Sequence, residues 1–175
     1  DEVTVIGHVG GYNRQKNQQM LMYILKAIEA KNPSKDFCLI SVGRGHTQKD
    51  VEQLASKLGV DGKVRFLGQR TDVPKLLNAM DMFFLPSLFE GFPIVAIEAQ
   101  TAGLPLVIAD TISKEVELTN LVHWLPIDKG AEVWAEKYYQ IAHTKVNRVQ
   151  YAPIVERKGF DARHSAQILQ DIYVK

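Results

Sequence analysis

The chain has 175 residues and a mass of 19.7 kDa, which corresponds to one domain of ordinary size. Apolar residues make up 46% of it and charged residues 23%, a composition that argues against a disordered chain. There are 21 lysines and arginines against 20 aspartates and glutamates. The resulting net charge of +1 gives no reason to expect a nucleic acid as the partner.

The single cysteine, Cys38, excludes an internal disulfide and a zinc site built from cysteines. It lies in an apolar run, so we expect a small buried side chain in a protein of a reducing compartment. No stretch reaches the roughly 20 apolar residues of a membrane span, and no signal peptide is recognisable. We therefore expect a cytoplasmic protein. Because a strand-like run follows Asp1 almost at once, we also expect the chain to be a piece of a longer protein.

Short apolar runs alternate along the chain with longer amphipathic ones. The predicted strands are residues 3–7, 37–42, 63–67, 82–85, 106–109 and 122–125. The predicted helices are residues 17–31, 47–58, 71–80, 93–102, 129–143 and 162–173. This alternation predicts an α/β fold with a doubly wound, mostly parallel six-stranded sheet.

The helical and strand periodicity is lost between residues 144 and 159, where Pro153 also lies. We therefore divide the chain into a doubly wound domain, residues 1–143, and a C-terminal segment, residues 144–175. The last helix of that segment is expected to pack away from the sheet.

The loop after the first predicted strand carries Gly10 and Gly11, followed by Arg14 and Lys16. Ligands of open parallel sheets bind beyond the carboxyl ends of the strands. Glycines let backbone N–H groups approach an anion, and basic side chains bind phosphate. The loop matches neither GxGxxG nor GxxxxGK[ST], so by itself it is equally consistent with a solvated turn.

The loop after the second predicted strand places Arg44 between Gly43 and Gly45. It allows a close backbone approach to a ligand, but a plain strand-to-helix turn has the same pattern. His8 and His46 fall in these ligand-facing loops, with a structural or solvated role as the alternative. The five histidines show no metal-ligand spacing, so we predict no metal site.

The loop after the fourth predicted strand is the most informative segment. Pro93 suits the first position of a helix, and the N–H groups of Ile94 and Val95 then remain free to bind an anion. Glu90 precedes this helix, and Glu98 lies within it among apolar residues. A carboxylate in such surroundings needs hydrogen-bond donors, which the vicinal hydroxyls of a sugar supply. A polar stripe on the helix surface is the alternative.

These segments resemble the retaining glycosyltransferases of family 4. Residues 90–99 resemble the E-x7-E motif of that family, with Pro86-Ser87 before it and an A-x-G-x-P run at residues 102–106 after it. Residues 42–45 resemble its V-G-x-G motif, residues 63–68 its V-x-F-L-G strand, and Lys16-Asn17 its first loop. The motifs cover about residues 3–125 in the family's order. The bacterial members that build capsule, exopolysaccharide or cell-surface glycans are the most similar.

The resemblance implies the donor-binding, Rossmann-like half of a GT-B fold. The ligand it implies is a nucleotide-diphosphate sugar, with a UDP-sugar expected, and it implies no metal and no other cofactor. The implied partner is an acceptor-binding N-terminal domain, toward which residues 144–175 would pack. The isolated domain is expected to be inactive. An acceptor on a lipid carrier would place the full-length enzyme peripherally at the inner membrane face.

The resemblance also assigns roles to individual residues. Glu90 would contact the hydroxyls of the transferred sugar and Lys16 would neutralise the leaving diphosphate, so these two are the predicted catalytic residues. Glu98 would accept hydrogen bonds from the ribose. The predicted donor-binding residues are Gly10, Gly11, Arg14, Gly43, Arg44, Gln69, Arg70, Gly91, Phe92, Ile94, Val95 and Glu98.

The chain departs from the family pattern at Gly11, where the family usually carries an arginine that binds the diphosphate. Arg14 or Arg44 is expected to supply that charge. Two other functions stay open at this point. The Gly11 departure favours a module that binds nucleotide sugars without catalysis, and the fold also admits a sugar-nucleotide epimerase.

Overall fold

The structure is a computed structural model that describes residues 3–34, 36–142 and 144–174. The strands are β1 (Thr4–Val9), β2 (Phe37–Val42), β3 (Val64–Gly68), β4 (Met82–Leu85), β5 (Leu106–Ala109) and β6 (Val122–Leu125). The helices are α1 (Gln18–Lys31), α2 (Gln48–Leu58), α3 (Val73–Asn78), α4 (Ile94–Thr101), α5 (Ala131–Ile141), α6 (Tyr151–Arg157) and α7 (Ala162–Tyr173). His143, the predicted last residue of the fifth helix, lies outside the described residues.

The six strands form one sheet in the order β3-β2-β1-β4-β5-β6, and all neighbouring strands are parallel. This confirms the predicted doubly wound sheet. The strand order reverses between β1 and β4, because the chain leaves β1 toward one edge and β4 toward the other. The loops that follow these two strands therefore flank a crevice at the carboxyl edge of the sheet.

The helices form two groups. α1 packs against α2 and α5, whereas α4 packs against α3 and α6. Right-handed crossovers place these groups on opposite faces of the sheet. The core between them buries large aromatic side chains in edge-to-face contact, with ring centroids 6.0 Å apart for Phe84 and Trp134 and 6.1 Å apart for Phe37 and Tyr138.

Three local features differ from the sequence prediction. β1 continues to Val9, so His8 lies inside the strand and not in a ligand-facing loop. Cys38 is half-buried, because β2 buries Phe37 and Leu39 more completely than the residue between them. α6 occupies part of the segment predicted to be irregular. Pro153 does not prevent this helix, because it lies in the first turn, where a missing N–H leaves no helical hydrogen bond unmade.

α7 is amphipathic, and its apolar residues Ile168, Leu169, Ile172 and Tyr173 are exposed. Its predicted packing toward a further domain stays a prediction. In the described part of the chain, no helix has the length and apolar character needed to cross a bilayer.

Candidate functional site

The loops after β1 and β4 are held together at the crevice by backbone and side-chain hydrogen bonds. The Leu88 N–H donates to the Gln15 carbonyl at 2.8 Å, and the Asn17 side-chain amide donates to the Pro86 carbonyl at 3.1 Å. Asn17 has a φ of 53°, a left-handed conformation that asparagine tolerates better than most residues. These bonds bring together two segments that are far apart in the sequence.

The structure brings Lys16 and Glu90, the two predicted catalytic residues, together in this crevice. The Lys16 ammonium donates to Glu90 Oε1 at 2.6 Å, and the side chains are only 18% and 8% exposed. Ser87 Oγ donates to the same carboxylate oxygen at 2.8 Å, and Gln15 Nε2 lies 3.5 Å from Oε2. The pair is thus sheltered and oriented, with ammonium N–H groups that can still serve an anionic ligand.

His8 is buried in β1, close to Lys16 and Glu90, and was named in the sequence analysis only as a candidate in a loop. Its side chain is 0% exposed, and Nδ1 lies 2.9 Å from the Phe84 carbonyl oxygen. A carbonyl oxygen can only accept, so Nδ1 carries the proton and Nε2 is a buried acceptor without a partner. Burial lowers the pKa of His8 to about 4. The hydrogen bond to the Phe84 carbonyl opposes this lowering of the pKa, and the charges of Lys16 and Glu90 have smaller effects that lower and raise it. The imidazole is therefore neutral near pH 7. The signal for this burial that the sequence offered was the position of the histidine among the apolar residues of β1.

Two predicted donor-binding glycines, Gly10 and Gly43, pack against each other. Gly43 has a φ of 141°, and a Cβ there would lie 2.0 Å from the Gly10 carbonyl oxygen. A Cβ at Gly10 would lie 3.2 Å from Lys16 Cδ and 3.4 Å from His8 Nε2. The loops after β1 and β2 can therefore approach this closely only because Gly43 lacks a side chain, whereas a Cβ at Gly10 would crowd Lys16 and His8.

Gly11 differs from these two glycines. It is exposed, its φ is not in the left-handed region, and the nearest neighbour of a Cβ at this position would be the Arg44 carbonyl oxygen at 3.6 Å. This is an ordinary van der Waals distance. The fold therefore leaves room for a side chain at position 11.

The start of α4 provides the predicted anion-binding N–H groups. Pro93 is extended and precedes the helix, and the Ala96 N–H bonds to its carbonyl, whereas Ile94 and Val95 occupy the first two helical positions. Ile94 is 71% exposed. Glu98 is half-buried one turn further along and, with Phe92 and Ile94, lines a cavity of about 870 Å³ between α3 and α4. Glu98 thus faces open space beside the helix start, and Gly91 is exposed in front of it.

The remaining predicted donor-binding residues lie on two sides of the crevice. Arg44, Gln69 and Arg70 are exposed at the carboxyl ends of β2 and β3. The Arg44 side chain passes Gly68, and Arg70 binds the Asp72 carboxylate through two hydrogen bonds of 2.9 and 2.8 Å. Arg14 lies on the α1 and α2 side, where it lines a different pocket.

No group of three or more histidine, cysteine, aspartate or glutamate side chains in the described ranges is arranged to hold a metal ion.

Residues 3–143 match the protein family described as "Glycosyl transferases group 1". EpsF of Bacillus subtilis (strain 168), named as a glycosyltransferase, is 31% identical over 171 residues, which are 97% of this chain and 44% of that protein. The crystal structure of Anabaena HepE in complex with UDP has a TM-score of 0.75 and 25% identity, over 98% of this chain and 49% of that one.

A second similar structure is the C-terminal domain of the group 1 glycosyl transferase LpcC from Francisella tularensis. It has a TM-score of 0.69 and 19% identity, over 89% of this chain and 85% of that one. The chain belongs to the group 1 glycosyl transferase family and has the Rossmann-like fold of a GT-B domain. It spans less than half the length of EpsF.

Proposed function

We propose that this chain is the donor-binding domain of a retaining glycosyltransferase. The donor is a nucleotide-diphosphate sugar, with UDP as the nucleotide, and the acceptor is a glycan or a lipid-linked sugar held mainly by an N-terminal domain. The observation that carries the proposal is the sheltered contact between Lys16 and Glu90 at the strand-order reversal, with the start of α4 beside it. The UDP complex of HepE supports the choice of nucleotide.

In the proposed site, each part of the donor is bound by its own set of residues. The ribose hydroxyls donate to Glu98, while the N–H groups of Ile94 and Val95 and the ammonium of Lys16 bind the diphosphate. Glu90 accepts hydrogen bonds from hydroxyls of the transferred sugar. The ends of β2 and β3 carry Arg44, Gln69 and Arg70, which contact the edge of the base.

In the proposed reaction the bond between the anomeric carbon and the diphosphate breaks, and a bond to the acceptor hydroxyl forms on the same face. The proton of that hydroxyl passes to the departing phosphate oxygen. Positive charge develops on the sugar and negative charge on the leaving group. Glu90 and Lys16 stabilise these charges by preorganised electrostatics, without a metal or another cofactor.

Titration of this chain with UDP, followed by calorimetry, tests the proposal. We expect binding that Lys16→Met weakens by about 10-fold or more, since a charge-assisted hydrogen bond contributes about 1.5–3 kcal/mol. Lys26→Met is the matched control, because Lys26 pairs with Glu29 on the surface of α1. Folded protein that fails to bind millimolar UDP, or equal affinities of the two variants, would contradict the assignment.

The full-length protein distinguishes catalysis from binding alone. The proposal expects transfer of sugar from UDP-sugar to an acceptor with retained anomeric configuration, determined by NMR of the product. Binding without turnover would instead support a non-catalytic module. Conversion of the donor in the absence of acceptor would support an epimerase.

A further inference from the structure

A second pocket lies beside the proposed donor site, between the beginnings of α1 and α2. We call it the Arg14 pocket. It has a volume of about 380 Å³ and is lined by Asn13, Arg14, Asn17, Gln18, Gln19, Thr47, Val51 and Leu88. Two of its lining residues, Asn17 and Leu88, make the hydrogen bonds that join the loops after β1 and β4, whereas Lys16 and Glu90 do not line it.

Two buried polar atoms of this pocket have no hydrogen-bond partner. Four such side-chain atoms occur in the part of the chain that the structure describes, and Gln18 Oε1 and Thr47 Oγ1 both belong to this lining. Gln18 is 2% exposed, and its Nε2 donates to the Gly11 carbonyl at 2.9 Å, which leaves Oε1 as the acceptor. A buried acceptor without a donor is energetically costly. The pocket therefore favours a ligand that brings a hydroxyl group.

The other polar groups of the pocket favour an anion. α1 and α2 are 14 and 11 residues long and both begin here, so the positive ends of two helix dipoles converge. The N-cap side chains of Asn17 and Thr47 make no capping hydrogen bond to these helices. Arg14 adds a guanidinium, and none of the lining residues is acidic.

We propose that the Arg14 pocket binds the phosphate of a hydroxyl-bearing phosphate ester, such as a polyol phosphate. The phosphate oxygens accept from Arg14 and from the first N–H groups of α1 and α2. A hydroxyl of the same ligand donates to Gln18 Oε1, and another exchanges a hydrogen bond with Thr47 Oγ1. Because the pocket is lined by residues of the loops that carry Lys16 and Glu90, its ligand lies next to the proposed donor.

The test is an NMR titration of the ¹⁵N-labelled chain with glycerol 3-phosphate in the presence of saturating UDP, which blocks the diphosphate site. Inorganic phosphate is the comparison probe, because it has no alcohol hydroxyl groups. We expect shifts of the Gln18, Gln19 and Lys49 amide signals. Glycerol 3-phosphate should bind about 30-fold more tightly than phosphate, as two additional hydrogen bonds of about 1 kcal/mol each provide.

Three variants separate the contributions. Arg14→Gln should weaken both probes by about 10-fold, whereas Arg157→Gln, at the exposed end of α6, should change neither. Gln18→Leu should weaken glycerol 3-phosphate by about 5-fold, the contribution of one hydrogen bond, and leave phosphate binding unchanged. Because Gln18 also bonds Gly11, Thr47→Val provides a second test that leaves this bond intact and should weaken glycerol 3-phosphate alone.

Vesicles of phosphatidylcholine with and without phosphatidylglycerol distinguish a lipid headgroup from a soluble ester. If the chain sediments with phosphatidylglycerol vesicles and Arg14→Gln abolishes this sedimentation, the ligand is a lipid-borne phosphate. If the chain binds only free glycerol 3-phosphate, the ligand is a soluble ester. The proposal is overturned if neither probe shifts these amide signals at a concentration 20-fold above a millimolar dissociation constant. It is also overturned if Arg14→Gln and Thr47→Val leave binding unchanged. Failure of UDP to bind would contradict the donor site but not this pocket.

Discussion

At the residue scale, Glu90 has two competing roles in the proposed site. In this structure its carboxylate holds the Lys16 ammonium at 2.6 Å, whereas in the proposed donor complex it accepts from sugar hydroxyls and Lys16 turns to the diphosphate. Binding of a nucleotide must therefore weaken a sheltered ion pair. The pair keeps Lys16 in place before the donor arrives, at the expense of nucleotide affinity.

This competition makes Glu90→Gln informative. Loss of the carboxylate charge frees Lys16, so we expect UDP to bind a few-fold more tightly, while the preference for UDP-sugar over UDP is lost. Calorimetric titrations with both ligands measure this. Glu29→Gln is the control, since that carboxylate pairs with a lysine on the protein surface. Weaker UDP binding by Glu90→Gln would mean that the ion pair does not oppose nucleotide binding.

Gly11 gives a second prediction at this scale. A Cβ there makes only an ordinary contact, so Gly11→Arg should fold normally and place a second cation beside the diphosphate site. We expect UDP to bind about 10-fold more tightly, with a steeper dependence on salt. Gly11→Gln, of similar length but uncharged, is the control. Unchanged affinity of the arginine variant would place position 11 outside the diphosphate site.

The buried imidazole of His8 predicts a pH dependence of stability. The pKa of His8 is about 4 in the folded chain, below the ordinary value of 6.5, so between these values the unfolded chain binds a proton that the folded chain does not. Stability from neutral His8 is complete above pH 6.5 and is lost as the pH falls toward 4, by about 3 kcal/mol in all.

Urea unfolding at several pH values measures this loss. His8→Asn, whose amide can still donate to the Phe84 carbonyl, should flatten the decline between pH 6.5 and 4. His123 is half-buried, and burial lowers its pKa too, so His123→Asn is the matched control and should flatten the curve less. Equal curves for the native chain and His8→Asn would contradict the neutral buried imidazole.

At the element scale, the position of α4 depends on one buried side chain. Gln100 is fully buried, and its Nε2 donates to the Val116 carbonyl at 2.7 Å. Its Oε1 accepts from the N–H groups of Leu118 and Thr119 at 3.0 and 2.9 Å. These bonds fasten α4 to the connection between β5 and β6, and so fix the helix that carries Glu98.

Gln100→Leu should therefore destabilise the chain by about 3 kcal/mol, because several backbone groups lose their partners in a dry interior. Gln53→Leu, on the exposed side of α2, should change the unfolding free energy by less than about 0.5 kcal/mol. Chemical denaturation measures both. A loss below about 1 kcal/mol for Gln100→Leu would mean that α4 is held by apolar packing alone.

At the scale of the whole molecule, the chain exposes an apolar face on α7 and spans less than half of EpsF. We expect this face to be buried in the full-length protein. The double variant Ile168→Ser and Leu169→Ser should change the stability of this chain by less than about 0.5 kcal/mol but destabilise the full-length protein by about 2 kcal/mol or more. Thermal unfolding of both forms measures the difference, and equal effects in the two forms would contradict this packing.

The sequence by itself determined the architecture of this protein, its six strands and, in the described part of the chain, every helix except α6. Apolar runs without alternation identified the six parallel strands, because strands covered on both faces need no polar face. Pro93 marked the beginning of α4, with Glu90 before the helix and Glu98 within it. These are local signals, in which each residue is read against its neighbours within a turn or two.

Only the tertiary structure decided the contacts between distant segments. Lys16 and Glu90 are 74 positions apart, and their approach depends on β1 lying beside β4, which no local pattern encodes. The burial of His8 depends on the Phe84 carbonyl in the neighbouring strand, and the Arg14 pocket depends on two helices that begin side by side. Side-chain chemistry at a site is set by neighbours in space, whereas element formation is set largely by neighbours in sequence.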